Sequence, residues 1–259
     1  MKAMIFAAGL GTRLRPLTDT LPKALVPLCG KPLLYHVVQR LISAGFDDIV
    51  INVHHFADKI EDYLKSENDF GVRLSVSDER DLLRDTGGGL MHARKYLEAP
   101  GTGFLVHNVD IISDADLGAL VAGCRPDALA TLLVSDRKTS RYLLFNDGMR
   151  LVGWTNVSTG EVRTPFPGLD VRSCRHLAFS GIHYVSSDIF RQIDRMNSES
   201  ETSGKGRAFG ECFPIMDFYL RAAAACPIYG TEAKGLHIAD VGKVQSLREI
   251  ESFLGQERP

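Results

Sequence analysis

The chain has 259 residues, 44% hydrophobic and 24% charged, a globular make-up with room for one large α/β domain or two small ones. Its formal net charge of −2, with Lys and Arg scattered along it, argues against a nucleic-acid binder. Five widely spaced cysteines without a CxxC pair, and an N-terminal apolar run that Gly9, Gly11 and Arg13 soon interrupt, argue against a disulfide framework, a signal peptide and a membrane span, and place the protein in the cytoplasm.

Along the chain, short apolar runs alternate with helical patterns. Residues 2–8 read as a buried strand. Residues 31–44 carry Leu33, Leu34, Val37, Val38, Leu41 and Ile42 at helical spacing and stop at Gly45. Strand character returns at 48–53, 72–77, 104–111 and 128–134, with helical stretches at 57–65, 89–97 and 116–123. This βαβα order predicts an α/β fold: a Rossmann-like, mostly parallel sheet flanked by helices. A hairpin is expected next, with strands 141–145 and 150–156 around Asn146-Asp147-Gly148. Residues 160–175 read as a loop or short lid, 176–185 as a strand and 188–196 as a helix. Residues 197–210, rich in Ser, Gly and charge, read as a mobile loop. A helix at 215–225, a strand at 236–241 and a final helix at 246–254 complete the pattern.

Gly9-Leu10-Gly11-Thr12-Arg13 follows the first strand directly, where open α/β sheets bind their ligands. Glycines there let backbone N–H groups approach phosphate oxygens. Arg13, Arg15 and Lys23 concentrate positive charge in the same short segment, which a departing pyrophosphate needs. Taken alone, Gly-Leu-Gly is equally a tight turn. Leu14 stands where GxGxxG needs its third glycine, and no Gly-Lys-Ser/Thr follows. Those two facts disfavour an NAD enzyme and a P-loop ATPase.

The longer run of Gly9, Gly11, Thr12, Arg13, Pro16, Leu17, Thr18, Pro22, Lys23, Pro27, Gly30 and Pro32 resembles the signature of the sugar-1-phosphate nucleotidyltransferases. The resemblance implies a GT-A-like nucleotidyltransferase fold and Mg²⁺ as cofactor. Its implied partners are a nucleoside triphosphate and a sugar-1-phosphate, with neither nucleic acid nor membrane. It implies one domain over residues 1–259, a nucleotide-binding half at 1–135 and a smaller sugar-binding half at 136–259. It puts Ala8, Gly9, Gly11 and Thr12 on the nucleotide. Arg13 and Lys23 become the catalytic cations on the triphosphate, Lys23 near the α-phosphate.

Asp85-Thr86-Gly87-Gly88-Gly89 reads as a glycine-rich entry to a helix, on which a base or ribose can lie, or as a flexible loop capped by Thr86. It resembles the equivalent stretch of the short family branch typified by N-acetylmuramate-1-phosphate uridylyltransferases, which implies Gly87 and Gly88 on the nucleoside. Asp78 and Glu79, just ahead, are candidates for the base edge.

Asp110 and Asp240 each close an apolar strand. Strand-end carboxylates suit Mg²⁺, and both also read as ordinary aspartates. They resemble the family's paired metal aspartates, with Val109 replacing the glycine usual before the first. The resemblance puts Asn108, and Gly181 of Phe179-Ser180-Gly181, on the sugar. Many relatives carry a Glu-Lys pair after the hairpin, but residues 151–156 contain no lysine. Arg137, Lys138 and Arg141 are the candidates to replace it. Trp154 stacks on the sugar or packs under the hairpin. His54 and His55 point to opposite strand faces and read as structural.

The expected reaction makes an NDP-sugar and pyrophosphate, with UTP and N-acetylmuramate-1-phosphate as first candidates. A guanylyltransferase acting on mannose-1-phosphate and a nucleotide-binding homologue without turnover are the alternatives. The oligomeric state is not legible.

Overall fold

Leu33, Leu34, Val37, Val38 and Leu41 fall on one helix face and all five are buried, so the first helix is fixed by its apolar stripe. The computed structural model describes residues 1–203 and 207–242. Its elements run β1 (Lys2–Phe6), β2 (Pro27–Leu28), β3 (Lys31–Pro32), α1 (Leu33–Ser43), β4 (Asp48–Val53), α2 (Ala57–Ser66), β5 (Arg73–Asp78), α3 (Asp85–His92) and α4 (Arg94–Leu97). They continue with β6 (Gly103–Asn108), β7 (Ile111–Ser113), α5 (Leu117–Ala122), β8 (Ala130–Ser135), β9 (Arg141–Phe145), β10 (Leu151–Asn156) and β11 (Glu161–Arg163). Last come β12 (Arg175–Ser186), α6 (Asp188–Ser203), α7 (Ile215–Ala222), β13 (Ile228–Glu232) and β14 (Ile238–Asp240).

The described residues divide into two compact units, neither continuous in sequence. The first holds Met1–Leu83, Val106–Leu117 and 237–242. Here β1 pairs with β4 and β4 with β5, all parallel, and the end of β6 lies on the other side of β1. Ala3, Met4 and Ile5 on β1 and Ile49, Val50 and Ile51 on β4 are fully buried, the continuous apolar run of a parallel strand covered on both faces. A small antiparallel ribbon, β7 with β14, sets Asp240 opposite Ile111.

The second unit holds Arg84–Leu105 and Gly118–Leu236. Its order is β11-β10-β9-β12, followed by the start of β6, with β8 between β12 and β13. The β9–β10 hairpin turns at residues 146–149 as expected, where Met149 N–H bonds Asn146 C=O at 2.9 Å. The expected α/β class, with its parallel strands, flanking helices and mid-chain hairpin, is what is found, as a mixed sheet.

Four expectations change. The strand expected over 104–111 is two strands, β6 and β7, so Asp110 lies in the turn between them. The segment 160–175 contributes an edge strand, β11. Residues 197–203, expected to be a mobile loop, extend α6. There Ser198, Ser200 and Thr202 bond back to carbonyls four residues earlier, and Asn197 accepts from Phe209 N–H at 2.7 Å. Gly87–Gly89 lie within α3, not ahead of it. β13 had no counterpart in the expected pattern. The helix expected at 246–254 falls outside the described residues. Among the described residues, no helix is long and apolar enough to cross a membrane.

Candidate active site

The chain leaves β1 at Phe6 and enters the loop Ala7–Arg13. Ala8 is buried, while Gly9 and Leu10 stand open to solvent. Gly11 has φ +63°, and a Cβ there would sit 2.9 Å from Thr18 Cγ2 and 3.0 Å from Lys23 Cβ. Only glycine meets both demands, so the loop can close onto the Lys23 turn. Its carbonyl accepts from Leu14 N–H at 2.8 Å and from the Thr18 hydroxyl at 2.9 Å. Thr12 and Arg13 begin a single 3-10 turn, and both are exposed.

A hydrophobic cluster of Leu14, Val26, Leu28, Leu33 and Val241 lies beneath this surface. It joins the loop that follows β1, the strand after Lys23 and the Asp240-Val241-Gly242 segment, so three separate stretches of sequence share one foundation. Val241 N–H also bonds Asp110 C=O at 2.8 Å.

Four charged residues converge above that cluster. Lys23 is 8% exposed, and its ammonium is ion-paired with the Asp110 carboxylate. The Arg13 guanidinium lies over Gly242, with Nη2 3.1 Å from where a Cβ would project. Asp240 Oδ1 is 2.9 Å from that same point. Asp114 and His237 fasten the ribbon that carries both aspartates: Nδ1 of His237 meets Asp114 Oδ2 at 2.8 Å. Burial raises the Asp114 carboxyl, but the side-chain and backbone hydrogen bonds and the charge of His237 together outweigh it and hold the carboxyl below its usual range.

Asp110 and Asp240 offer hard oxygen donors from neighbouring strand ends, and both keep access to solvent. Such a pair fits a small divalent cation that takes water and substrate phosphates as its remaining ligands. Among the described residues, no group of three or more His, Cys, Asp and Glu side chains is arranged to hold a metal.

Asn108 ends β6 in this same unit, two residues before Asp110, and is partly buried. Asp78 and Glu79 also belong to this unit, while Gly87, Gly88 and Gly181 lie in the second. Gly87 and Gly88 donate their N–H groups to Phe213 C=O at 2.8 and 3.2 Å. The Thr86 hydroxyl accepts from Ile215 N–H at 2.9 Å, capping the start of α7. Residues 86–88 therefore grip the segment before α7. Gly181 has φ +77° and sits where β12 shifts register against β8, as a strand bulge. Arg137 donates from Nη2 to Phe179 C=O at 3.0 Å, two residues from Gly181. Trp154 is half-buried beside the Arg163 guanidinium.

His107, on β6 three residues before Asp110, is fully buried, and among the described residues its Nε2 has no hydrogen-bond partner. Burial pushes its imidazole down to about 4 from 6.5, and the Arg40 charge pushes the same way, against raising effects from the Asn108 carbonyl and Asp110. Between those values the unfolded chain binds the proton and the folded one does not. This contribution to stability is therefore present above about 6.5 and lost as pH falls toward 4. Between pH 7 and pH 5 the protein should lose about 2 kcal/mol that His107→Phe does not lose. Urea unfolding at the two pH values measures this. Equal losses in both proteins would assign the pH dependence to other groups.

The family model described as nucleotidyl transferase matches residues 2–142. The chain belongs to this family. The N-acetylmuramate alpha-1-phosphate uridylyltransferase of Neisseria meningitidis serogroup B is 45% identical over 257 residues, covering 98% of this chain and 99% of that protein. The enzyme of that name from Caulobacter vibrioides is 36% identical over 198 residues, 72% of this chain and 76% of its own. A solved structure of apo-UDP-glucose pyrophosphorylase superposes with a TM-score of 0.75 over the full length of both chains at 18% identity, a likeness of fold. This nucleotidyltransferase is thus an enzyme of the sugar-1-phosphate class. The Gly9–Arg13 loop, Lys23, Asp110 and Asp240 all occupy one unit of the structure.

Proposed function

We propose that the enzyme transfers uridylyl from UTP to N-acetylmuramate-1-phosphate, releasing pyrophosphate. The observation that carries the choice of substrates is the 45% identity to the Neisseria uridylyltransferase across 98% of this chain. The arrangement of Arg13, Lys23, Asp110 and Asp240 supports the reaction type. A sugar-phosphate oxygen attacks the α-phosphorus; the new P–O bond forms as the bond to the bridging α–β oxygen breaks, and pyrophosphate leaves with that electron pair. No protein nucleophile is needed, so position and charge carry the rate.

In this reading the exposed backbone of Gly9 to Thr12 receives the triphosphate. Arg13 neutralises its outer charge, and Lys23 reaches the α-phosphate from the loop's floor. Asp110 and Asp240 would hold Mg²⁺, which when bound offsets the charge of the phosphates in flight. Lys23 and Asp110 restrain each other's side chains, so both start near their working positions. Asn108 and Gly181 serve the sugar. Of the three cations considered for the sugar phosphate, Arg137 is the one held against the Phe179-Ser180-Gly181 stretch, and we assign it that contact. Arg137→Ala should raise KM for the sugar phosphate about tenfold, the cost of one charge-assisted contact, with KM for the triphosphate unchanged. A shift in the triphosphate KM instead would remove the assignment.

The test of substrates is a matrix of the four nucleoside triphosphates against a panel of sugar-1-phosphates, read by pyrophosphate release with Mg²⁺ present. UTP with N-acetylmuramate-1-phosphate should give the highest kcat/KM. A preference for GTP with mannose-1-phosphate would overturn the choice of substrates and leave the reaction class standing.

A further inference from the structure

We propose that Asn52 and Glu79 are positioning residues for the phosphate loop, acting through a single peptide group; the role rests on the reading of residues 9–13 as the triphosphate loop. The ladder between β1 and β4 ends at the pair Phe6 and Asn52. One residue on, a side chain replaces the backbone partner: Ala7 N–H donates to Asn52 Oδ1 at 2.7 Å. Asn52 Nδ2 in turn donates to Glu79 Oε1 at 2.8 Å. Asn52 is 3% exposed and Glu79 fully buried, so neither is a solvent-facing polar group that happens to touch the loop.

The far side of the same peptide is also held. Phe6 C=O accepts from Val109 N–H at 3.1 Å. The Phe6 carbonyl and the Ala7 amide belong to one planar unit. With its oxygen fixed by Val109 and its N–H fixed by Asn52, that plane cannot rotate. Two peptide links separate it from Gly9, and Val109 adjoins Asp110. One clamped plane therefore sets both the direction in which the loop departs and its spacing from the carboxylate that pairs with Lys23.

Glu79 determines which way Asn52 faces. An amide side chain has a donor end and an acceptor end of nearly equal shape. The Glu79 carboxylate oxygen draws the NH₂ end, which leaves Oδ1 for Ala7. Glu79 is itself anchored to the end of β4: its N–H donates to Val53 C=O at 2.8 Å, and its carbonyl meets His54 Nδ1 at 2.7 Å. Residue 79, considered from sequence for the base edge, thus directs its carboxylate inward to Asn52.

Asn52→Ala should raise KM for the triphosphate roughly tenfold or more, since small displacements of a positioning group cost up to about a hundredfold. KM for the sugar phosphate should stay within about twofold of the parent. Glu79→Leu should shift the triphosphate KM in the same direction, and Glu79→Gln, which keeps an oxygen able to accept from Asn52, should recover most of that loss. The double variant Asn52→Ala/Glu79→Leu should be no worse than Asn52→Ala alone, because both act through one bond. Hydrogen exchange across residues 4–12 should quicken in Asn52→Ala and Glu79→Leu. If Asn52→Ala does not fold, the comparison of Glu79→Leu with Glu79→Gln decides. A fall in melting temperature or active fraction with an unchanged triphosphate KM would make the pair merely structural and overturn the proposal. Arg13→Ala, run in parallel, separates the two levels. If it raises the triphosphate KM and the Asn52 and Glu79 variants do not, the positioning role falls alone. If Arg13→Ala leaves that KM unchanged, the loop reading falls and takes the proposal with it.

Discussion

Asp110→Asn and Lys23→Met should each lower turnover by about 10²–10³-fold, the usual cost of removing one charged group from the reacting centre. The two residues form an ion pair that is largely shielded from water. Removing one partner of such a pair also destabilises the fold, by up to about 3–5 kcal/mol, because the other charge is left without its partner. Lost activity in a single variant therefore has two possible sources. The double variant Lys23→Met/Asp110→Asn separates them, since it leaves no unpaired charge and should melt above at least one of the singles. If the residues act on substrate and cation, its turnover should be as low as either single or lower. Recovery of turnover together with stability would reduce the pair to a structural strut. Pyrophosphate release and thermal unfolding on the same preparations give both readings. Asp240→Asn provides the control: it lies outside this ion pair, so its turnover should fall with little change in melting temperature.

Much of this centre was legible because its signals are local. Glycines and cations crowd the end of one strand between Gly9 and Lys23, and Asp240 directly follows an apolar run and precedes Gly242. What binds the pieces together was not legible. Val241 packs against Leu14 from the other end of the chain, and no periodicity in either segment announces the partner. Asn52 reads as one polar residue in an apolar strand, and its function appears only when Ala7, 45 positions earlier, is beside it.

The misread elements fail for similar reasons. β13 is five residues long, contains Gly230 and has only Ile228 and Gly230 buried. Its strand form comes from its parallel pairing with β8. The second half of α6 has almost no apolar stripe, so its composition resembles a loop. It is held by tertiary anchors that composition does not display, among them Arg221 Nη2 to Ser200 Oγ at 2.7 Å.

Gly88→Ala should destabilise the protein by about 3 kcal/mol or more, since a buried backbone clash cannot be relieved by a rotamer change. The added Cβ would sit 2.0 Å from the Glu211 carbonyl oxygen and 3.0 Å from its carbon, so α3 or the segment before α7 has to move. For a chain of this size the melting temperature should drop by roughly 10 °C. Gly87→Ala offers a contrast. Its Cβ meets the Phe213 ring at 2.3 Å, and the Phe213 carbonyl is 2.9 Å away. Shortening the ring with Phe213→Leu should therefore recover part of the loss, and no side-chain change should rescue Gly88→Ala. The glycine run was linked from sequence to the nucleoside, and the two roles predict different measurements. A glycine kept small for a nucleoside gives an alanine variant with normal melting and a raised triphosphate KM. A glycine kept small for Glu211 gives a low melting temperature, with a nearly normal KM in the fraction still folded. Because both N–H groups already serve Phe213 and the Cβ space of Gly88 already holds a backbone oxygen, the second result is the one expected. Normal melting of Gly88→Ala would return the run to the nucleoside.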